Sequence, residues 1–126
     1  MPACNFTSPE LASVGLTEAA ARAKGYEVKT GRFLFAGLGR AHAIGETDGM
    51  VKLVGDAKTD ELLGMHILGH EAGELIAIGA LAMRLESTVE EIAHTIHTHP
   101  TLSEAILEAS EDYYGLGIHT RPAKKK

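Results

Sequence analysis

The chain has 126 residues, 44% hydrophobic and 23% charged, which is typical of a single folded domain and excludes a predominantly disordered chain. Its 17 acidic against 12 basic side chains give a net charge of −5, which argues against a nucleic-acid-binding surface. No apolar run reaches the ~18 residues that a membrane span requires, and the single cysteine, Cys4, excludes an internal disulfide. We therefore expect a protein of a reducing compartment, either the cytoplasm or, in a eukaryote, the mitochondrial matrix.

The first third of the chain predicts two strands separated by a helix. Residues 4–7 are typical of a short strand, which ends at Ser8-Pro9. Thr17 is a typical N-cap and Gly25 a typical C-terminal stop, so together they predict a short helix. Alternating β-prone residues predict a second strand over residues 26–35.

The middle of the chain predicts an antiparallel meander of three further strands, over residues 41–46, 50–56 and 62–68. Asp48-Gly49 is a strong turn signal between the first two, and the polar residues 57–60 predict the second turn. The last strand is apolar on both faces, which predicts a central position in the sheet. Its expected faces are Leu63, Met65 and Ile67 on one side, and Leu62, His66 and Leu68 on the other.

The rest of the chain predicts three helices. An apolar helical pattern covers residues 70–85, Thr88 begins a short helix, and a third helix runs from about residue 101 to residue 113. The first of these has nearly two apolar faces, so we expect it either to lie between other elements of the domain or to pack against another subunit. The stripes are Leu75, Ile76, Gly79, Ala82 and Met83 on one face and Ile78, Leu81 and Leu85 on the second, and the expected core side of the third helix is Leu102, Ala105, Ile106, Ala109 and Tyr113.

Together these elements predict an α+β fold, in which helices pack on an antiparallel sheet of four to five strands. We expect a single domain over residues 1–119, followed by a flexible tail over residues 120–126 that ends in three lysines.

Two motifs suggest ligand sites, and we interpret both as structural. Residues 37–42, GLGRAH, begin like a dinucleotide-binding loop, but His42 replaces a glycine and we expect a strand to follow, whereas that loop opens a helix. We therefore predict a bend there. His94, His97 and His99 suggest a metal site, but their spacing lacks the i, i+4 pairing of a helical zinc site, so we predict no metal ligands.

The stretch HTHPTLSE, residues 97–104, allows two interpretations. Thr101 and Glu104 have the spacing of a capping box at the start of a helix. Alternatively, Pro100 keeps His99 extended and outside the helix, where the Glu104 carboxylate can meet an imidazole nitrogen. A histidine oriented by a carboxylate is a typical general base for a hydroxyl or a thiol, although this chain supplies no evident nucleophile.

This stretch resembles the active-site segment of the pyridine nucleotide-disulfide oxidoreductase family. FTSPELASVGLTEAAARAKG, residues 6–25, and DELLGMHILGHEAGELI, residues 60–76, resemble that family's C-terminal dimerisation domain, so the resemblance covers residues 6–114 in order. Within the family, the dihydrolipoamide dehydrogenases match best. The alternatives are a branch like the glutathione or mercuric reductases, and a stand-alone dimerisation or docking module without catalysis.

The resemblance implies functional roles for three residues. His99 would be the acid/base that deprotonates the dihydrolipoamide thiol, Glu104 would orient it, and Pro100 would follow a cis peptide bond beside the cofactor. FAD and NAD would bind elsewhere in the full-length enzyme, and none to this isolated domain. The implied partners are a second copy of the chain, the FAD and NAD domains, and the acyltransferase component of 2-oxo acid dehydrogenase complexes, with no nucleic acid and no membrane.

The sequence departs from the family in what it lacks. It contains no CxxxxC pair and no flavin or nicotinamide fingerprint, and Cys4 alone cannot carry out disulfide exchange, which needs two sulfurs. We therefore expect the 126 residues alone to be inactive in dihydrolipoamide oxidation. We also expect an excised domain with an added Met1, with a natural stand-alone copy as the alternative.

Overall fold

The computed structural model describes residues 1–117, in which helices pack on a five-stranded antiparallel sheet. The strands are β1 (Ala3–Asn5), β2 (Glu10–Gly15), β3 (Val28–Leu34), β4 (Met50–Asp56) and β5 (Leu62–Gly69). The helices are α1 (Glu18–Ala23), α2 (Gly39–Ile44), α3 (Ala72–Arg84), α4 (Val89–His94) and α5 (Glu104–Tyr113). The predicted α+β class is confirmed, and the predicted tail over residues 120–126 lies outside the described residues.

The strand order is β1-β2-β5-β4-β3, with every neighbouring pair antiparallel. The prediction that β5 is central is confirmed, since two strands lie on each side of it. Strand β2 is not among the predicted strands. Its inward side chains are the small or medium-sized Ala12 and Val14, and it ends at Gly15 with φ of 76°, so its apolar alternation is short.

The predicted strand over residues 41–46 is wrong, because α2 occupies most of this region. Ala41 is fully buried on the inner side of α2, and Gly45, with φ of 74°, ends the helix in the left-handed region. The expected bend at residues 37–42 is therefore also wrong in part, since Gly39 begins a short helix. Asp48-Gly49 leads into β4 rather than joining two strands, and the observed meander consists of β3, β4 and β5.

The predicted faces of β5 are half correct. The pairing with β4 shifts register between Val54 and Gly55, which places two consecutive β5 residues on opposite sides from those expected. Leu62 packs in the main core with Met65 and Ile67, whereas Leu63 packs on the other face against Val54 and Ala21 of α1. Both faces of β5 are therefore covered along part of its length.

Helix α3 crosses the main face of the sheet with one stripe buried and one exposed. It begins after Glu71, whose φ is 55°, and the Glu10 carboxylate accepts a hydrogen bond from the Gly73 N–H at 2.9 Å. The stripe with Ile76 and Ala82 is buried, whereas Leu81 and Leu85 are 61% and 67% exposed. Ile78 of the second stripe is partly buried against the core, but the described part of the chain leaves Leu81 and Leu85 uncovered, which favours the alternative that this face packs against another subunit.

Helix α5 lies against β3 and β4 and carries the segment of chemical interest at its start. Its predicted core side is confirmed, since all five residues of that stripe are buried. The helix begins at Glu104, about three residues later than predicted, because residues 102 and 103 form a turn. Within residues 1–117, no helix is long and apolar enough to cross a membrane.

Candidate active site

The candidate site lies in the connection between α4 and α5. The predicted helix after Thr88 is confirmed as α4, which begins with a capping box formed by Thr88 and Glu91. At its other end the Thr95 hydroxyl donates to the Glu91 carbonyl at 2.7 Å. The chain then leaves the helix in an exposed stretch that reaches His99, and the His99–Pro100 peptide bond is cis.

His99 and Glu104 are in direct contact. The imidazole Nδ1 lies 2.8 Å from Glu104 Oε1, and Glu104 Oε2 accepts a hydrogen bond from the Thr101 N–H at 2.9 Å. One carboxylate therefore serves both interpretations of this segment, since it reaches back to the backbone as in a capping box and also binds the histidine. The two bonds fix the carboxylate plane, and the carboxylate in turn fixes the imidazole.

The two partners differ in their exposure. The His99 side chain is 77% exposed, whereas that of Glu104 is 20% exposed. Because a carboxylate only accepts hydrogen bonds, the neutral imidazole must carry its proton on Nδ1 and present its lone pair on Nε2. The arrangement therefore holds a proton acceptor at the surface of the domain, on a carboxylate that is itself largely buried.

The pKa of Glu104 lies below its ordinary value of 4.5. Partial burial is the largest single influence and raises the pKa, but several interactions together outweigh it. These are the hydrogen bond from the Thr101 N–H, then the hydrogen bond and positive charge of His99, and last the charge of His97. The carboxylate is consequently ionised at neutral pH, as a group that orients an imidazole must be.

The hydroxyl half of the predicted capping box is not formed as expected. The Thr101 hydroxyl donates to the Thr98 carbonyl at 2.7 Å and lies 2.8 Å from the Ser103 hydroxyl. Ser103 is the N-cap of α5, and its side chain makes no capping hydrogen bond. Thr98 and Ser103 are not among the predicted site residues, and the run of hydroxyl residues around His99 is the signal that could have indicated them.

The other candidate residues lie apart from this pair. The Nδ1 atom of His97 lies 2.9 Å from the Thr95 carbonyl, and His94 ends α4. Cys4 lies on the edge strand β1, where burial and then the charge of Glu10 raise its pKa, so its thiol is not activated. Among residues 1–117, no group of three or more His, Cys, Asp or Glu residues is placed to hold a metal ion.

Two surface depressions flank the His99 segment. An open hollow of about 460 Å³ lies beside Pro100, and its walls include Arg40, His70 and Leu102. On the other side, a groove of about 220 Å³ runs between α3 and α4, which we call the α3–α4 groove. Its lining is Ile78, Leu81, Ala82, Leu85, Ser87, Glu91, Ile92, Thr95 and His97. The exposed stripe of α3 therefore continues up to the residues just before His99.

The sequence profile of the pyridine nucleotide-disulphide oxidoreductase dimerisation domain matches residues 1–110. The chain belongs to this family. The dihydrolipoyl dehydrogenase of Thermus scotoductus is 50% identical over 119 residues, which are 94% of this chain and 26% of that protein. The dihydrolipoyl dehydrogenase of Bacillus subtilis is 49% identical, with 94% of this chain and 25% of that protein covered. The chain thus spans about a quarter of the length of these relatives.

Solved structures with the same fold include a flavoprotein disulfide reductase. An HOCl-induced flavoprotein disulfide reductase, RclA from Escherichia coli, superposes in its Cu(II) complex with a TM-score of 0.84 at 30% identity, covering 88% of this chain and 25% of that one. LpdA from Mycobacterium tuberculosis superposes with a TM-score of 0.82 at 31% identity, covering 88% of this chain and 24% of that one. The recognised family and the predicted fold class are confirmed.

Proposed function

We propose that this chain is the dimerisation domain of an NAD-dependent dihydrolipoyl dehydrogenase, and that His99 is the acid/base of its reaction. The contact between His99 Nδ1 and Glu104 Oε1 carries the proposal, because it presents an oriented proton acceptor at the surface of a domain that has no nucleophile of its own. The relatives named above, 49% and 50% identical, favour dihydrolipoamide as the substrate.

In the proposed reaction, His99 Nε2 accepts the proton of a dihydrolipoamide thiol as the S–H bond breaks. The thiolate left behind is the nucleophile for a disulfide outside these 126 residues, which contain only one cysteine. We propose that this disulfide belongs to the partner subunit. Glu104 stabilises the positive charge that the imidazole gains and keeps its Nδ1 proton in place. The first attack breaks the disulfide bond and forms a mixed disulfide, and the imidazolium gives its proton to the thiolate that is released. The second thiol of dihydrolipoamide then loses its proton to His99 and attacks the mixed disulfide, which closes the lipoamide ring and leaves both cysteines reduced.

A flavin would accept the two electrons and pass them to NAD, and both cofactors would be bound outside this domain. The described residues fit one wall of such a site: Pro100 is exposed next to His99 at the rim of the open hollow. We therefore propose that Pro100 contacts the cofactor from the side of the partner subunit. A cytoplasmic location stays a prediction, made from the cysteine content. The extent of the single domain over residues 1–119 also stays a prediction, made from the pattern of elements along the chain.

We propose that the α3–α4 groove is the surface through which two copies associate. It is apolar at Leu81 and Leu85, and it continues up to His97 beside the catalytic pair. A second copy bound there would also bring its own chain close to His99, which a site shared between subunits requires. Glu91 lines this groove and is exposed, so an acyltransferase component that docks beside the two-fold axis would present positive charge there.

A second candidate function is reduction of another disulfide substrate. RclA, which is named as an HOCl-induced flavoprotein disulfide reductase, shares the fold at 30% identity. The difference between 30% and about 50% identity favours the dihydrolipoyl branch. A docking module without catalysis would have no use for an oriented and exposed imidazole, so we rank it last.

The catalytic proposal can be tested in a chimera in which this chain replaces the matching quarter of the Thermus scotoductus enzyme. We expect the chimera to reduce NAD⁺ with dihydrolipoamide, and His99→Gln to lower kcat by roughly 10²- to 10⁴-fold while the dimer stays intact. His94→Gln, five residues earlier, is the matched control and should change kcat by less than about threefold. If His99→Gln keeps near-normal turnover, His99 is not the acid/base.

The proposed self-association surface can be tested on the chain itself by sedimentation. We expect the wild type to form dimers, and Leu81→Lys with Leu85→Lys to shift the population to monomers, because a charge on an apolar interface is desolvated without a partner. Leu68→Lys is the matched control, since Leu68 is 40% exposed on the opposite face of the sheet. If the variant with both Leu81→Lys and Leu85→Lys remains dimeric while Leu68→Lys is monomeric, the interface lies on the exposed face of the sheet and the proposal is wrong.

A further inference from the structure

The hydroxyl of Thr101 is at the centre of a network that joins the two ends of the His99 segment. A threonine hydroxyl has a single proton, and here it is donated to the Thr98 carbonyl at 2.7 Å. The contact of 2.8 Å with Ser103 Oγ must therefore have Ser103 as the donor. Thr98 immediately precedes His99 and Ser103 immediately precedes Glu104, so one side chain links the backbone before the base to the residue before its carboxylate.

The backbone of the same residue binds the carboxylate directly. The Thr101 N–H donates to Glu104 Oε2 at 2.9 Å, while Oε1 of that carboxylate lies 2.8 Å from His99 Nδ1. Thr101 is half-buried beneath this arrangement, whereas Thr98 and His99 are exposed. The bonds from Thr101 to Ser103 and to the Glu104 carboxylate are therefore partly shielded from competing water, whereas its bond to Thr98 and the His99 contact are exposed.

We propose that Thr101 is a positioning residue for His99. Its hydroxyl closes the loop between Thr98 and Ser103, and its N–H fixes the Glu104 carboxylate, so that the imidazole is held with its proton on Nδ1 and its lone pair on Nε2. The proposal rests on the proposed function for its effect on turnover. Its effect on the imidazole tautomer is independent of any reaction.

A purely structural role as a helix cap does not account for this geometry. A capping threonine would accept a hydrogen bond from an amide in the first turn of α5, and would itself be the N-cap. Here Ser103 is the N-cap, and the Thr101 hydroxyl donates backwards to Thr98, away from the helix. The hydroxyl thus orders the loop that carries His99 rather than the helix that follows it.

The first experiment measures the tautomer of neutral His99 in the chain by ¹⁵N NMR of the imidazole. We expect the Nδ1–H form to predominate in the wild type and its share to fall several-fold in Thr101→Val, which keeps the shape of the side chain but loses the hydroxyl. Thr101→Ser should restore it. Thr95→Val is the matched control, since it removes a hydroxyl-to-carbonyl bond of the same 2.7 Å length that does not touch the pair.

Ser103→Ala provides a second variant in case valine at position 101 prevents folding, and it should shift the tautomer in the same direction by a smaller amount. An unchanged tautomer ratio in a folded Thr101→Val or Ser103→Ala protein overturns the proposal. An equal shift in Thr95→Val does so too, because the effect would then come from general loosening of the segment.

The second experiment places the same variants in the chimera. We expect Thr101→Val to lower kcat about tenfold with KM little changed and with an altered pH profile of kcat, and Thr101→Ser to recover most of the loss. If His99→Gln has no effect on turnover but Thr101→Val still shifts the tautomer, the proposed function fails while the positioning role holds. If His99→Gln abolishes turnover but Thr101→Val changes neither kcat nor the tautomer, only the positioning role fails.

Discussion

The two ends of α5 share one buried stripe but differ in what they expose to solvent. At the C-terminal end, Tyr113 is 2% exposed, its hydroxyl donates to Asp60 Oδ1 at 3.0 Å, and the Lys29 ammonium lies 4.4 Å from the centre of its ring. At the N-terminal end, Glu104 is half-buried and the imidazole that it binds is largely exposed. We call the C-terminal end at Tyr113 the anchored end, because side chains of other elements bind it. We call the N-terminal end at Glu104 the presented end, because it carries the exposed imidazole of His99.

This difference shows how the domain can offer a well-oriented group to another subunit. The helix approaches β3 so closely at Gly31 that a Cβ atom there would overlap the Ala109 carbonyl and the Tyr113 backbone nitrogen. Asp112 adds a further tie by accepting a hydrogen bond from the Arg32 N–H at 2.9 Å. Ala105 and Ile106, which directly follow Glu104, are fully buried as well, so the backbone of Glu104 is fixed along the whole helix while the imidazole that its side chain binds stays exposed for binding and chemistry.

The largest expected effect comes from removing the anchor. Tyr113→Ala should lower the free energy of unfolding by about 3–5 kcal/mol, since a buried aromatic ring is lost together with its hydrogen bond. Urea unfolding at neutral pH measures the change, with Tyr26→Ala as the control because Tyr26 is 38% exposed. Equal destabilisation by the two substitutions would show that the C-terminal end is no better anchored than an ordinary surface position.

The anchored end is also the part of the fold that the sequence predicted best. The buried stripe of α5 follows from helical periodicity, because apolar residues recur every three or four positions along its ten residues and so lie on one face. Elements of about six residues, such as β2 and α2, contain too few repeats, and their conformation depends on what they pack against. The register shift at Val54 and Gly55 exchanged two side chains of β5, and no local signal indicated it.

The presented end could be predicted only in part. The residue types in HTHPTLSE and their resemblance to a family pointed to His99 and Glu104, whose catalytic roles stay predictions. Their contact did not follow from spacing, since residues five apart are not neighbours on a helix and meet here only across the turn at Pro100. The hydrogen-bond partner of the Thr101 hydroxyl could not be predicted either, because threonine serves both in a capping box and in a hydrogen bond within a loop.

A milder change at the anchored end tests its hydrogen bond alone. Tyr113→Phe keeps the ring and removes the hydroxyl that donates to Asp60, so we expect a loss of about 1–2 kcal/mol at neutral pH. Burial first, and then Asp60, raises the pKa of Tyr113 above its ordinary value of 10. A raised pKa contributes stability that is present below pH 10 and is lost as the pH rises toward the pKa of the folded state.

The wild type should therefore lose stability above about pH 10, and Tyr113→Phe should lose less over the same range. Some alkaline loss should remain in the variant, because burial and then Asp60 also raise the pKa of Tyr114, to about 12. Unfolding measured from pH 8 to above 10 compares the two slopes. Parallel slopes would mean that Tyr113 titrates alike in the folded and unfolded chains, against the tight anchoring inferred above.

The smallest expected effect belongs to the presented end. A lowered pKa contributes stability that is present above pH 4.5, the ordinary value for Glu104, and is lost as the pH falls toward the pKa of the folded state. Glu104→Gln should therefore lower stability at neutral pH by less than about 1 kcal/mol, given the exposure of His99, and the gap to the wild type should close in acid. Unfolding of both proteins at pH 7 and at acidic pH measures this gap.

His99→Gln separates the two bonds of the carboxylate. Among the influences that lower the pKa of Glu104, the hydrogen bond from the Thr101 N–H is larger than either effect of His99. Much of the acid dependence should therefore survive in His99→Gln, although turnover in the chimera is lost. This result would mean that the Glu104 carboxylate is held chiefly by the Thr101 N–H, and that its contact with His99 contributes less to the stability of the folded state. If the acid dependence of stability disappears in His99→Gln, the contact with His99 is the main interaction that stabilises the ionised Glu104 carboxylate. His99 would then contribute to the stability of the fold in spite of its exposure.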